Sequence, residues 1–146
     1  MTVRITIRPT RPTDTAVLEG IARAAYREAM EALDGVPDVV GSIAADMRGN
    51  PGWVVEVDGI AAGFLIARID RPALKLVNLA VAPDHAGQGL ARRLLDEAAR
   101  RAQAEGLTRL ELVTHAGMQA TRAMYRHLGW SEDRVTGGAA FLSKTL

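Results

Sequence analysis

The chain has 146 residues, 48% of them hydrophobic and 24% charged, and its 18 basic and 17 acidic side chains leave a formal net charge of +1. That composition is globular, and near-balanced, interspersed charge argues against a nucleic-acid partner held by bulk electrostatics. Cysteine is absent and the three histidines lack H-x-x-x-H or E-x-x-H spacing, which excludes disulfides and thiolate chemistry and speaks against a metal site.

No linker or repeat divides the sequence, so a single domain over residues 1–146 is expected. The stretch MTVRITIRP alternates like a strand and has no signal-peptide core. No run of about 18 apolar residues could span a membrane. A cytoplasmic protein with no membrane partner is therefore the expectation.

Val3, Ile5 and Ile7 alternate with Arg4, Thr6 and Arg8, which predicts a half-buried first strand. Asp14 is placed to cap a helix whose apolar positions Val17, Leu18, Ile21, Ala22, Ala25, Ala29 and Leu33 recur at helical spacing, with Gly35 and Pro37 breaking it. A shorter helix with Val40, Ile43, Ala44 and Met47 is stopped by Gly49-Asn50-Pro51-Gly52. Trp53 to Val57 reads as a strand, Asp58-Gly59 as a two-residue hairpin turn, and Ile60 to Ile69 as the returning strand. Asp70-Arg71-Pro72 turns the chain, and Leu74 to Val81 is a fourth strand. A helix from Leu90 to Glu105 is closed by Gly106, and Arg109 to Thr114 is a fifth strand. Met118 to Leu128 is a last helix, stopped by Gly129, before two strands, Trp130 to Thr136 and Ala139 to Lys144, around Gly137-Gly138.

The order β-α-α-β-β-β-α-β-α-β-β predicts an α/β fold, a central mixed sheet of six to seven strands flanked by about four helices. Strand four, the long helix and strand five form a right-handed crossover, so those two strands should run parallel.

The most informative stretch is NLAVAPDHAGQGLARRLL, Asn78 to Leu95. An apolar strand passes a Pro-led turn and two glycines, Gly87 and Gly89, straight into an amphipathic helix with Leu90, Leu94, Leu95, Ala98 and Ala102 on one face. The first N–H groups of a helix have no internal partner and sit at the positive end of its dipole, and glycines let a phosphate approach the backbone. The N–H groups of Gly87 to Ala91 are thus candidate anion donors. A Gly-x-Gly turn alone is weak, since many connections use one, and the full G-x-G-x-x-G pattern fails because position 92 is Arg.

Two segments carry a resemblance. Leu79-Ala80-Val81-Ala82-Pro83, followed by Ala86-Gly87-Gln88-Gly89-Leu90-Ala91, is similar to the acetyl-coenzyme A loop of the GCN5-related N-acetyltransferase superfamily, written Q/R-x-x-G-x-G/A. Tyr125-Arg126-His127-Leu128-Gly129-Trp130 resembles its second signature, a helix with Tyr closed by Leu, Gly and an aromatic residue. The likeness covers nearly the whole chain. It implies that the 86–91 backbone holds a diphosphate, and that main-chain groups around Leu79, Ala80 and Val81 hold the pantetheine arm where strands four and five splay apart. It also implies that Tyr125 donates to the departing thiolate.

Two positions depart from the pattern. Ala86 stands where the family writes Gln or Arg, which removes a side chain near the pyrophosphate and leaves the backbone donors. An asparagine that often contacts the cofactor is replaced by Met118 and Thr121, of which only Thr121 can hydrogen-bond. Arg92 and Arg93, in the first helical turn, could compensate by pairing with phosphates.

A general base is less evident. Alternation puts Lys75, Val77 and Leu79 on one face of strand four, with no carboxylate. Asn78 could orient a water or the substrate, or be structural. His115, just past strand five, could accept a proton through water. The resemblance makes the first two helices and their loop the roof of the acceptor site, where Tyr26, Glu28, Glu31, Asp38 and Asp46 fall. Tyr26 is core or pocket lining, Glu28 and Glu31 read as a solvated face, and carboxylates such as Asp46 near the mouth would favour a cationic amine.

The implied activity is direct transfer of an acetyl group from acetyl-coenzyme A to a primary amine of a small molecule or peptide, with no metal and no cysteine to carry the acyl group. The alternative, motivated by Ala86 and the missing carboxylate, is a degenerate acyl-coenzyme A binding sensor. The last two strands could also pair two copies as a homodimer.

Overall fold

The computed structural model describes residues 2–36, 38 and 40–146. Its strands are β1 (Ile5–Pro9), β2 (Gly52–Val57), β3 (Ile60–Asp70), β4 (Ala73–Val81), β5 (Arg109–His115), β6 (Ser131–Thr136) and β7 (Ala139–Thr145). They form one seven-stranded sheet in the order β1-β2-β3-β4-β5-β7-β6. Helices α1 (Thr15–Ala32), α2 (Ile43–Met47), α3 (Leu90–Ala104) and α4 (Gln119–His127) pack on it. Among the described residues only β4 and β5 pair in parallel, as the crossover through α3 requires.

The central strands are apolar on both faces because both are covered. Trp53, Val55, Leu65 and Ala67 enter one core with Leu94, Leu95 and Ala98 of α3 and Tyr125 of α4. Val54, Phe64 and Ile66 enter a second core with Leu18 and Ile21 of α1 and Ile43 of α2. The β2–β3 hairpin turns where expected, with Asp58 at φ 51° and Gly59 at φ 82°, the paired left-handed conformations of a tight two-residue turn.

Some local readings change. Asp14 precedes α1 but makes no side-chain cap to it. Its carboxylate instead accepts from the Arg11 N–H at 2.7 Å, across a 3-10 turn over Pro12–Asp14, and from both terminal nitrogens of Arg8 at 2.9 and 2.8 Å. Arg8 also reaches Glu56 at 3.2 Å, so the start of α1 is clamped to β1 and β2 by charge. Val17, read as part of the apolar stripe, is 52% exposed, because the buried stripe begins at Leu18 and runs through Ile21 and Ala22. Helix α1 ends at Ala32, before Gly35 with its φ of +78°; Pro37, the second expected breaker, lies outside the described residues.

The largest change concerns β4. Ile66 pairs with Asn78, but the next residue, Ala67, pairs with Leu76, so Val77 is the extra residue of a β-bulge. Strict alternation therefore fails. Leu79 packs on the α3 side, whereas Val77 packs on the α1 side, so the face drawn through Lys75, Val77 and Leu79 does not exist as one surface. Asn78, opposite Ile66, shares the α1 side with it. Pairing of β4 with β5 stops at Lys75↔Glu111, directly before the bulge.

The Arg8–Asp14 pair is largely shielded, so Asp14→Asn should lower unfolding free energy by about 1–3 kcal/mol at pH 7, read from urea melts. Arg8 holds the Asp14 carboxyl below the usual range. The stabilisation is therefore full above about pH 4 and lost as pH falls below it, where the two proteins should converge. Equal midpoints at pH 7 would contradict the clamp.

Candidate active site

Once β4 and β5 part, each has an unpaired inner edge. The groove between them has a volume of about 1030 Å³ and runs from the start of α3 to the loop between α1 and α2. That is ample for a sizeable organic ligand.

The backbone polarity of the β4 edge follows from its register. The N–H of Ala82 donates to Ala62 on β3 at 2.8 Å. In an antiparallel ladder each residue turns its N–H and C=O to the same side, and successive residues alternate. Ala80 therefore faces β3, while Leu79 and Val81 turn their main-chain groups to the groove. The Leu79 carbonyl has a partner there, since it accepts from the Tyr26 hydroxyl at 2.6 Å.

At one end of the groove the chain makes a short 3-10 turn, Pro83–His85, and enters α3 through Gly87 (φ +79°) and Gly89 (φ +74°). A Cβ on either glycine would meet no atom within 4 Å, so the positive φ, and not crowding, calls for glycine. Gly89 occupies the cap position and supplies no side-chain cap. The first bond inside the helix is Arg93 N–H to Gly89 C=O at 3.2 Å, which leaves the N–H groups of Leu90, Ala91 and Arg92 without an intrahelical acceptor. Buried Leu90 anchors this turn, while Ala86 to Gly89 are exposed. Arg92 lines the groove and forms no salt bridge among the described residues.

Tyr125 stands against the groove from the other side of the split. It is 4% exposed, packs edge-on against Trp130 with ring centroids 5.0 Å apart, and lines the groove. Its helix is held by Arg122, which makes a two-pronged contact with Glu132 at 2.8 and 2.9 Å and donates to the Ala116 carbonyl at 2.6 Å. Burial pushes the Tyr125 phenol well above its ordinary value near 10, and the neighbouring Tyr26 adds to the shift. Burial also pushes Tyr26 up to about 12. Both tyrosines are neutral hydrogen-bonding groups at physiological pH.

His115 ends β5 on the groove wall. Its Nδ1 accepts from the Gly117 N–H at 2.9 Å, so the proton lies on Nε2, which donates to the Asp34 carbonyl at 2.6 Å. Both ring nitrogens are engaged, and the imidazole ties the α1–α2 loop to β5. Asn78 is buried, lines the groove and lies just beyond the bulge. Asp46 accepts from Ser42 Oγ at 2.9 Å, and Asp38 from the Gly41 N–H at 2.9 Å; both line the loop end of the groove.

Leu79, Ala80, Val81, Ala86, Gly87, Gly89, Leu90, Ala91, Arg92 and Thr121 all line this one groove with Tyr26 and Tyr125. Gln88 does not line it; its side-chain oxygen sits 3.1 Å from His85 Nδ1 instead. Sequence reading missed Arg122, because its partner is ten residues away on another element. It also missed the Tyr26–Leu79 bond, which joins residues 53 apart. Among the described residues no group of three or more His, Cys, Asp or Glu could hold a metal, and no helix is long and apolar enough to cross a membrane.

Residues 23–130 match the model of the Acetyltransferase (GNAT) family, and the chain belongs to that family. It is 35% identical over 78 residues to the ribosomal protein bS18-alanine N-acetyltransferase of Escherichia coli K12, an alignment covering 53% of each protein. The chain thus spans about half the length of the curated relatives it matches. Its fold is similar to that of the PaiA N-acetyltransferase of Thermoplasma acidophilum, solved in complex with coenzyme A (TM-score 0.86, 16% identity, 98% of this chain and 99% of that one). It is also similar to YncA of Salmonella typhimurium, solved with its cofactor acetyl-CoA (TM-score 0.75, 20% identity, 98% and 94%).

Tyr26 and Tyr125 are the only two tyrosines in the sequence. Ultraviolet titration of the folded protein should therefore show almost no tyrosinate at pH 10.5, whereas the denatured chain titrates near pH 10. Because the folded pKa values are raised, the stability they contribute is full below pH 10 and declines as pH climbs toward 12. A folded-state midpoint near 10 would contradict the burial of both phenols.

Proposed function

We propose that the protein is an acetyl-coenzyme A dependent N-acetyltransferase that moves the acetyl group directly to a primary amine of a small molecule or peptide. The observation that carries this reading is the split between β4 and β5, which places an uncapped helix start at one end and a buried phenol at its wall. The N–H groups at the start of α3, with Arg92, suit a diphosphate. The free main-chain groups of β4 suit an extended arm that carries amides. The residues present fit such a co-substrate without the side chain lost at Ala86, since the donors are backbone.

The acceptor amine enters from the α1–α2 side, past Tyr26, Asn78 and Asp46. Its nitrogen bonds the acyl carbon, the carbon–sulfur bond breaks, and the proton shed by nitrogen passes to water. Tyr125 donates a hydrogen bond to the departing sulfur. With its phenol held above the ordinary range, it stabilises developing charge and stays protonated, so its service does not depend on a matched proton affinity. His115, with both nitrogens engaged, shapes the wall and holds the loop. A peptide amine is favoured among acceptors by the relative that is named for alanine of a ribosomal protein.

The test is release of free thiol from acetyl-coenzyme A across a panel of small amines and short peptides. Turnover should appear with at least one acceptor and show intersecting, not parallel, steady-state lines. Tyr125→Phe should cut turnover at least tenfold, within the usual range for acid–base groups, with the coenzyme A Kd changed by less than about twofold. Tight coenzyme A binding with no turnover on any amine would make the protein a binding module instead.

A further inference from the structure

The bond from Tyr26 to Leu79 changes what the groove edge of β4 offers. Leu79 and Val81 are the residues of that edge whose main-chain groups face the groove, as the register with β3 requires. Val81 presents an N–H and a C=O together. At Leu79 the C=O is engaged by the Tyr26 hydroxyl at 2.6 Å, inside a site buried enough to push that phenol up to about 12. Leu79 therefore presents its N–H beside an oxygen with one of its two lone pairs already engaged, and is chiefly a donor.

The two positions suit different chemistry. An amide offers both a donor and an acceptor, and matches a residue with both groups exposed. A thioester offers only its carbonyl oxygen, which gains negative charge as an amine attacks. A bare Leu79 oxygen beside it would set like partial charge against like, in a site where low dielectric magnifies the repulsion. Tyr26 turns that oxygen to itself.

We infer that Tyr26 is a positioning residue. By holding the Leu79 carbonyl it makes this point of β4 chiefly a donor, and so better matched to an acyl thioester where Val81 is matched to an amide. The inference rests on the acetyltransferase reading above.

The test uses acetyl-coenzyme A carrying a 13C label in the acetyl carbonyl and difference infrared spectra, which need no acceptor. Bound to the wild-type protein, the thioester carbonyl band should move to lower frequency. In Tyr26→Phe, which keeps the ring, the shift should fall by at least half, while the Kd of coenzyme A, which lacks the acyl group, stays within twofold. Should that variant not fold, 3-fluorotyrosine at position 26, a stronger donor, should keep or enlarge the shift. An unchanged band in Tyr26→Phe, or a shift reduced by fluorotyrosine, overturns the inference and leaves the acetyltransferase reading standing. Failure of wild-type protein to bind acetyl-coenzyme A at all overturns both.

Discussion

One extra residue, Val77, is the constraint on which the rest of the architecture depends. Parallel strands linked by a helix would ordinarily stay paired along their length. Here β4 and β5 share register for three residues, from Ala73↔Arg109 to Lys75↔Glu111, and no further. The bulge that follows bends β4, reverses which side its later residues face, and turns the backbone of Leu79 and Val81 toward the groove, where only the Leu79 carbonyl is engaged, by Tyr26. Hydrogen-bonding capacity that the sheet would otherwise consume is left for a ligand. Cores on both faces of the sheet hold the two strands apart, so the opening belongs to the fold and needs no ligand to create it.

The charge along the groove is arranged in the same spirit. Unbonded N–H groups and Arg92 stand at one end, Asp38 and Asp46 at the other, and two neutral phenols between them. Burial raises the Tyr125 phenol above its ordinary value, so on the proposed reading it would serve a departing sulfur as a hydrogen-bond donor.

Element order, the parallel crossover and the glycine-bearing entry to α3 were legible in the sequence, because each rests on local signals: helical spacing, turn residues, and a strand that ends in Gly-x-Gly. The bulge was not, since nothing in LVNLAV distinguishes an extra residue from an alternating one, and the misread face of β4 followed from that. The cap assigned to Asp14 was a sound local reading overridden by a distant one, as Arg8 on β1 offered the carboxylate a stronger partner. Contacts across many residues, Tyr26 to Leu79, His115 to Asp34 and Arg122 to Glu132, had no local signature and determine how the site is held.

The most direct measurement of the central claim is amide hydrogen exchange with and without coenzyme A. The amides of Val81 and of residues 87–92 should exchange readily in the free protein and slow at least tenfold in its presence, while the amides of β1 and β6 stay unchanged. Protection confined to other segments, or none at saturating ligand, would contradict the account of the split between β4 and β5 as the seat of binding.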